Sequence, residues 1–371
     1  MRSVFLQNFR NYKELRLDLG HRPIVLCGPN GAGKTNLLEA LSLLAPGRGL
    51  RRAARADFIN QASCKDVTST PLWALSARLE TKDGPIDAGT GLNPERPDGT
   101  RIVKVNGVKS SLSHLAELFA ISWLTPQMDG LFIGSPSARR RFVDRLAIAF
   151  DPAHSGRLSR YEKLYRERQK LIMDRGDDSW ISALETQCAE TATAIMAARA
   201  ALTRAVSEAA YQGDERFGFP RVHMAMSGGG CEWLDEMPAL AVEDKIKQIA
   251  QQNRRAGELS MPGPQAQDLT TIHLDKRQNA HLSSTGEQKA LMIAAILAHA
   301  RLQDSRLDRP PLLLLDDVAA HLDDERRRCL FAATSELKGQ VWYSGTDRQS
   351  FAGLHKIAQF FDVEQGQIKA V

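Results

Sequence analysis

Eight residues near the N-terminus, Gly28-Pro29-Asn30-Gly31-Ala32-Gly33-Lys34-Thr35, fit the pattern G-x-x-x-x-G-K-[ST]. That pattern builds an anion site. Gly28, Gly31 and Gly33 permit a tight turn and close approach of the backbone, so that inward-pointing N–H groups meet phosphate oxygens. Lys34 is then expected to reach the β- and γ-phosphates, and the Thr35 hydroxyl to ligate Mg²⁺. Most of the chain separates this loop from a second chemical group. Leu312-Leu313-Leu314-Leu315 runs into Asp316-Asp317. Two adjacent carboxylates at the end of a buried strand repel each other unless a cation is close. Asp316 is therefore expected to hold Mg²⁺, directly or through water, and Asp317 to polarise an attacking water. A third group, Leu282-Ser283-Ser284-Thr285-Gly286-Glu287-Gln288-Lys289, opens a helix. A hydroxyl residue and a glycine at a helix start form an anion site; the same residues also suit a plain N-cap with Glu287 in the first turn.

These groups need elements to position them. Ile24-Val25-Leu26-Cys27 reads as a short buried strand entering the Gly-rich loop, and Lys34–Leu41 as a helix, the strand–loop–helix order that a phosphate loop requires. Leu15, Leu17 and Leu19 alternate with polar residues as in a half-buried strand. Residues 72–80 and 101–108 also read as strands, with Asn106-Gly107 as a type I′ hairpin turn. Pro94 and Pro97 mark a loop, and Ala120–Leu124 is a strand stopped by Pro126. From about residue 137 the period becomes helical. Leu158, Tyr161, Tyr165, Arg168 and Ile172 recur three and four apart, then Ile181, Leu184, Cys188, Thr191, Ile195, Ala198, Leu202, Ala205 and Ala209. That alternation suits a coiled-coil seam, and equally an ordinary bundle core. Val242, Ile246, Ile249 and Ala256 suggest a return helix, ended by Gly257, Pro262, Gly263 and Pro264. The last third resumes an α/β pattern: a helix after Ser284-Thr285-Gly286, the strand 312–315, a helix over Asp323–Ala333 and the strand Val341–Ser344. The expected organisation is an α/β ATPase head split into residues 1–136 and 258–371, with a helical arm inserted at 137–257.

With 371 residues, 43% hydrophobic and 25% charged, the chain has the composition of a globular protein with a sizeable core. No apolar stretch is long enough to span a bilayer, and Met1-Arg2-Ser3-Val4-Phe5-Leu6 lacks the apolar core of a signal peptide. A cytoplasmic protein with no membrane partner is expected. Cys27, Cys64, Cys188, Cys231 and Cys329 form no CxxC pair, which suits reduced structural thiols. The net charge is +5 and the isoelectric point near 8.9. Arginines cluster at 48, 51, 52 and 55, at 139–141 and 145, and at 326–328. Each cluster suits a polyanion partner or a solvated helix face.

The phosphate loop, the Ser-x-Gly-x-Gln-type signature, the doubled carboxylate and Ala320-His321-Leu322-Asp323 together resemble the ABC-type ATPases. That resemblance implies that Ser284 and Gly286 serve the γ-phosphate of a second molecule, in an ATP-dependent head-to-tail dimer. Longer stretches narrow it. Asn8-Phe9-Arg10-Asn11-Tyr12, Gly33–Ala40, Gly134-Ser135-Pro136-Ser137-Ala138-Arg139-Arg140-Arg141-Phe142-Val143-Asp144 and Leu314–Ala319 are similar to the RecF family of bacterial recombination mediators along essentially the whole chain. The resemblance implies a head like those of SMC proteins with a short helical arm. It also implies binding of single-stranded, duplex or gapped DNA, weak DNA-dependent ATP hydrolysis, and recombinase loading at gaps with RecO- and RecR-type partners. Roles in replication-fork maintenance and SOS induction come with it. Two stretches depart from the family. Gly263-Pro264-Gln265-Ala266-Gln267-Asp268 lacks a His-Arg pair, and Glu287 brings a negative charge near a phosphate site. The effect expected is on the strength of the contact made in trans, not on the fold.

Two other classes fit a P-loop with paired carboxylates: the ATPase subunit of a transport complex, and a nucleotide-binding scaffold that acts through its arm. Against the first stand the long helical insertion, the Asn8–Tyr12 stretch, and Thr346 or Asp347 at the end of the strand Val341–Ser344, where transport ATPases carry a histidine. Gln127 is the candidate for the glutamine that ABC heads place near the nucleotide.

Overall fold

A computed structural model describes residues 1–60, 72–81, 83–95, 101–211, 218–307 and 311–371. Cys64 and Pro97 lie outside the described residues. In chain order the strands and helices begin with β1 (Ser3–Phe9), β2 (Tyr12–Asp18), β3 (Ile24–Cys27), α1 (Lys34–Ser42), β4 (Ala74–Thr81) and β5 (Gly84–Leu92). β6 (Arg101–Val105), β7 (Val108–Ser110), α2 (Leu112–Leu118) and β8 (Ile121–Leu124) come after them. Next are α3 (Pro136–Phe150), α4 (His154–Met173), α5 (Asp178–Tyr211), β9 (Val222–Ser227), α6 (Trp233–Glu236) and α7 (Ala239–Arg255). The chain continues with β10 (Asp268–His273), β11 (Gln278–Asn279), α8 (Thr285–Arg306), β12 (Leu312–Leu315), α9 (Asp324–Ser335), β13 (Val341–Gly345), β14 (Gln359–Glu364) and β15 (Gln367–Ala370).

One compact unit takes Met1–Asp129 and Met292–Val371, with a short stretch ending at Phe219. Among the described residues it holds two six-stranded sheets. The first runs β2-β1-β4-β5-β6-β7 and is antiparallel throughout. Its strands alternate because one face is buried: Val4 faces Leu17, and Leu6 faces Leu15. The β6–β7 hairpin turns at Asn106 and Gly107 with φ of 51° and 79°, the left-handed pair that a type I′ turn demands. The second sheet runs β15-β14-β3-β13-β12-β8; β14, β3, β13, β12 and β8 are parallel, and only β15 is antiparallel to its neighbour. Its strands read as unbroken apolar runs because both faces are covered: Ile24–Cys27 and Leu312–Leu315 are buried at every position. Leu37, Leu38 and Leu41 of α1 are fully buried in the same core with Leu314 and Trp342. Each such leucine contributes about 1.5–3 kcal/mol. β3 and β12, the strands that carry the phosphate loop and the paired carboxylates, are not neighbours, because β13 lies between them.

The second unit takes residues 130–212 and 220–291. α4, α5 and α7 share a core that includes Tyr161, Leu184, Cys188, Ile195, Val242 and Ile246. A three-stranded sheet, β11-β10-β9, accompanies the helices. Neither β9 nor β10 was expected from the helical period, although Val222 and Met224 in β9 and Leu269, Thr271 and His273 in β10 are buried at alternate positions. The strict seam through α5 does not hold either. Ala198, Ala205 and Ala209 are only half-buried, whereas Met196, Arg199, Val206 and Ser207 are buried. A straight helix drifts about 20° per heptad relative to a 3.5-residue repeat, so the buried stripe walks round α5 into the wide face of a bundle core. Arg199 enters that core because its charge is matched. It donates two 2.8 Å bonds to Asp144, which also pairs with the fully buried His154 at 2.9 Å. Arg168, also fully buried, bonds Glu185 and the carbonyls of Leu259 and Ala250.

Candidate nucleotide-binding site

β3 ends at Cys27 and the chain turns sharply through Gly28. A Cβ at Gly28 would lie 2.1 Å from the carbonyl oxygen of Val363. At Gly33, where φ is 122°, a Cβ would lie 2.5 Å from Asn11 Nδ2 and 2.8 Å from the Tyr12 hydroxyl. Both glycines are needed because other chain passes that close. The neighbours at Gly33 brace the loop: Asn11 Nδ2 donates to the Ala32 carbonyl at 2.9 Å, and the Tyr12 hydroxyl to the Gly33 carbonyl at 3.0 Å. Asn36 Nδ2 donates to Asn11 Oδ1 at 2.8 Å, which ties α1 to the same brace. Beneath them the fully buried Glu39 receives Arg10 at 2.9 and 3.1 Å and Arg51 at 3.3 Å. A lone buried carboxylate would be costly, and two guanidinium partners offset that cost. Pro29, Asn30 and Gly31 stay exposed at the loop's tip, while Ala32, Gly33 and Lys34 are buried. Lys34 Nζ curls back to donate to the carbonyls of Gly28 (2.7 Å) and Pro29 (2.9 Å). Burial pulls its pKa down, and the charges of Asp317 and Asp316 push it back up.

Both carboxylates sit at the C-terminal end of β12. Asp316 Oδ1 accepts from Thr35 Oγ1 at 2.9 Å and from Ser344 Oγ at 2.7 Å. Burial raises the Asp316 pKa even against these two hydroxyls. Asp317 has a left-handed backbone, φ 53°, an uncommon conformation that aspartate tolerates better than most residues. Its amide donates to Ser344 Oγ at 3.0 Å, and its Oδ1 is buried without a hydrogen-bond partner. A buried charge in want of a cation, and beside it a buried acceptor in want of a donor, fit a divalent ion and a water. The donor set fits as well: hydroxyl and carboxylate oxygens are what Mg²⁺ takes, with phosphate oxygens completing its shell.

Sheet order explains the geometry. β3, β13 and β12 deliver the phosphate loop, Ser344 and the carboxylates side by side at their C-terminal ends, the edge where open parallel sheets bind ligands. Ser344 spans the gap because its strand is the one between. Gln127 stands exposed beyond β8, the other neighbour of β12, at the same edge. Thr346 and Asp347 are exposed beyond β13, and Asp347 Oδ1 caps the Gln349 amide.

Lys34, Thr35, Asp316 and Asp317 thus lie close together at one edge of the sheet. Ser284 and Gly286 stand at the start of α8, in the second unit. The loop before α8 is firmly held: Gln278 donates to Ser283 Oγ at 3.0 Å, and the buried Gln288 to the Ser283 carbonyl at 2.9 Å. Ser284 and Glu287 form a reciprocal capping box, the Ser284 amide donating to Glu287 Oε2 at 2.9 Å and the Glu287 amide to Ser284 Oγ at 3.4 Å. Glu287 Oε1 pairs with Lys276. The Lys276 ammonium and then the Ser284 amide bring the Glu287 pKa down to about 2. Gly286 is exposed, with open space around it.

Sequence reasoning missed the roles of Ser344, Asn11, Tyr12 and Glu39. A serine ending a buried strand and an Asn-Tyr pair opening another are weak signals alone. Some arginines of the clusters are engaged within the fold. Arg139 is bound to Asp268 at 2.7 and 2.6 Å, and Arg140 donates to the Gln267 carbonyl at 2.6 Å. The half-buried Arg145 holds its guanidinium 5.4 Å from the Phe142 ring centroid, and burial lowers its pKa. Of residues 139–141 only Arg141 is exposed. Arg326 and Arg327 pair with Asp323 and Asp324. Among the described residues no helix is long and apolar enough to cross a membrane.

Comparison with known proteins points the same way. The model of the RecF/RecN/SMC N-terminal domain family matches residues 1–369. The DNA replication and repair protein RecF of Mesorhizobium japonicum is 43% identical, over 99% of this chain and 96% of that protein. Its counterpart in Brucella suis is 42% identical over 100% and 96%. Among solved structures, the recombination mediator protein RecF–ATPrS of the RecFOR pathway superposes with a TM-score of 0.84 at 20% identity, over 100% of this chain and 97% of that one. An Smc head bound to the C-terminal winged-helix domain of ScpA gives 0.57 at 14% identity, over 100% and 96%.

Proposed function

The chain belongs to the RecF family, with the α/β fold of an ABC-type ATPase head, and from that premise we propose that it is an ATP-dependent DNA-binding protein of recombinational repair and replication-fork maintenance. The observation that carries the nucleotide half of this reading is the 2.9 Å contact between Thr35 Oγ1 and Asp316 Oδ1, two groups 281 positions apart. Nothing in packing alone requires a loop hydroxyl and a strand-end carboxylate to meet, whereas a shared Mg²⁺ does. The N–H groups of Gly28–Thr35 and the positive end of α1 bind the phosphates of ATP. Lys34 exchanges its two carbonyl partners for β/γ-phosphate oxygens. Thr35 and Asp316 hold Mg²⁺, which when bound neutralises charge on the transferring phosphoryl group. Asp317 Oδ1 orients a water and takes its proton.

Ser284 and Gly286 act on the ATP of a second copy, so that ATP drives head-to-tail dimerisation on single-stranded, duplex or gapped DNA. Slow hydrolysis reopens the dimer. The relatives' names place them in DNA replication and repair, and the solved mediator belongs to the RecFOR pathway. On that basis the partners are RecO- and RecR-type mediators and the outputs are recombinase loading at gaps and SOS induction, in the cytoplasm. DNA affinity rests on Lys and Arg contacts to phosphates and falls steeply with salt.

Light scattering of purified protein with ATP and Mg²⁺ tests this. The parent dimerises, Lys34→Ala neither binds ATP nor dimerises, and Asp317→Asn stays dimeric because it cannot clear its ATP. A parent that remains monomeric with ATP and Mg²⁺ rules out the trans arrangement. Binding to single-stranded, duplex and gapped DNA across a salt series, with ATP, ADP or neither, then identifies the preferred DNA.

A further inference from the structure

A cavity of about 670 Å³ opens in the first unit, where the chain enters β3 and β14. The phosphate loop leaves β3 at its other, C-terminal end. β14 alternates at the cavity: Phe361 and Val363 turn into the core, so Phe360 and Asp362 stand on the opposite face. There the exposed His355 ring lies flat on the buried Phe360, with centroids 4.8 Å and planes 18° apart. Arg348 also lines the cavity; it gives Nε and Nη2 to Asp362, which leaves its Nη1 donors to spare. The exposed His21 and Arg22 complete the rim. Their turn is fixed: the Gly20 amide donates to Gln359 Oε1 at 2.9 Å, and Gln340 Nε2 to the carbonyls of Gly20 and Arg22 at 2.8 and 3.1 Å. Among the described residues Arg22 has no ion-pair partner, and no Asp or Glu side chain lines the cavity.

A flat ring backed on one side and exposed on the other accepts a second flat ring by stacking, and guanidinium groups accept a phosphate. The volume falls within the range of small-ligand sites, roughly 300–1,000 Å³. One ligand chemistry combines a planar ring with a phosphate at short reach: a nucleotide. We propose that this cavity is a second nucleotide site, in which a base stacks on His355 and its phosphate is held by Arg22 and by Nη1 of Arg348. Side chains hold the phosphate here in place of a backbone loop, so the site needs neither residues 28–35 nor Mg²⁺. The nucleotide is free or is one unit of a single strand; the contacts are the same, because stacking accepts every base. The site rests on neither the ATP-driven dimer nor the DNA-binding reading above.

Photo-crosslinking of the full chain with 5-iodo-dUMP, and with a short oligothymidylate carrying one 5-iodouracil, followed by peptide mapping, tests this in EDTA. His355 should be marked, and the probe that marks it identifies the source: the monophosphate a free nucleotide, the oligothymidylate a strand. The mark should persist in Lys34→Ala. Calorimetry with the marking probe should show Arg22→Ala weaker by about tenfold, the scale of one charge-assisted contact, and Arg22→Lys recovering most of it. His355→Ala should also lose about tenfold, the scale of one stacked base, whereas His355→Phe keeps the platform and the affinity. Both residues are exposed, so circular dichroism should be unchanged. The proposal is overturned if neither probe marks the chain between residues 348 and 360, if the mark vanishes in Lys34→Ala, or if Arg22→Ala binds like the parent. An oligothymidylate that binds but marks only other segments removes this site and leaves the DNA-binding reading intact; a chain that binds no DNA yet is marked at His355 by the monophosphate does the reverse.

Discussion

Ser344→Ala probes whether a serine on the intervening strand organises both carboxylates. The hydroxyl donates to Asp316 Oδ1 at 2.7 Å and accepts the Asp317 amide at 3.0 Å. Removing it takes a donor from a buried carboxylate, worth about 1.5–3 kcal/mol, and leaves a backbone N–H without its acceptor, a further ~1–3 kcal/mol. The methyl group leaves room into which a water can partly enter and recover some of this. The net expectation is a loss of about 2–4 kcal/mol in the nucleotide-free protein, where no cation compensates Asp316. Urea unfolding at neutral pH, without nucleotide, measures that loss as a lowered midpoint with an unchanged slope. Single-turnover hydrolysis should fall about 100-fold, since a displacement near 1 Å of a positioning group has that effect. ATP affinity should change far less, because the loop of residues 28–35 makes none of its bonds to Ser344. Ser344→Thr keeps the hydroxyl and should recover most of both losses. If Ser344→Ala unfolds within about 0.5 kcal/mol of the parent and hydrolyses ATP at the parental rate, Thr35 alone organises Asp316, and β13 is a mere spacer.

Burial raises the pKa of Asp316, so its favourable contribution to the nucleotide-free fold is complete below its unfolded pKa and is lost as pH rises through the folded value. Asp316→Asn should therefore raise the neutral-pH melting temperature without nucleotide by about 2–4 °C and abolish the further rise that ATP with Mg²⁺ gives the parent; a variant that melts lower at pH 7 than the parent contradicts this. Tyr12→Phe removes one of the two donors to the Gly33 carbonyl, which keeps the Leu37 amide at 3.1 Å, and should cost about 0.5–1.5 kcal/mol in urea unfolding while weakening ATP binding in calorimetry; undiminished affinity would show that the loop needs no brace. For Asp144, burial pushes the pKa up, but His154 and Arg199 outweigh it and the value ends below normal. Its stabilisation is present at neutral pH and disappears as pH falls through that depressed value, and Asp144→Asn should cost about 3–5 kcal/mol by leaving Arg199 unmatched. A urea midpoint that moves by less than about 1 kcal/mol would mean that the network relaxes around asparagine.

Much of the candidate site was legible because its parts are local. Gly28–Thr35 follow a run of apolar strand residues and lead into good helix formers, so loop, strand and helix confirm one another within a few residues. Asp316-Asp317 was legible for the same reason, standing at the end of four leucines. What stayed hidden depends on order in space. Nothing local to Ser344 reveals that β13 slots between β3 and β12, and without that order a strand-end serine has no task. Asn11 and Tyr12 were visible as a family resemblance, yet their target carbonyls at Ala32 and Gly33 are reached only through a turn and another strand. The α5 period left a coiled-coil seam and a bundle core equally open for a geometric reason: three-and-four spacing over a few heptads matches both a 3.5 and a 3.6 period, and only the burial of Arg199 and Val206 separates them. β9 and β10 escaped because a short alternating run is easily lost beside long helices.

The strand order also sets a timetable for synthesis. β3 is made almost first, but both strands that pair with it, β13 and β14, are encoded some 300 residues later. At about 5–20 residues per second on the ribosome, that is a wait of roughly 15–60 s. For that interval Ile24-Val25-Leu26-Cys27 has no partner for its ladder, and such a strand is prone to mispair. The helical unit lies wholly between these partners and can pack on its own contacts in the meantime. The nascent head must therefore be kept open until its closing strands emerge, so substitutions that speed misassociation of β3 should lower the yield of folded protein in the cell without altering the finished molecule.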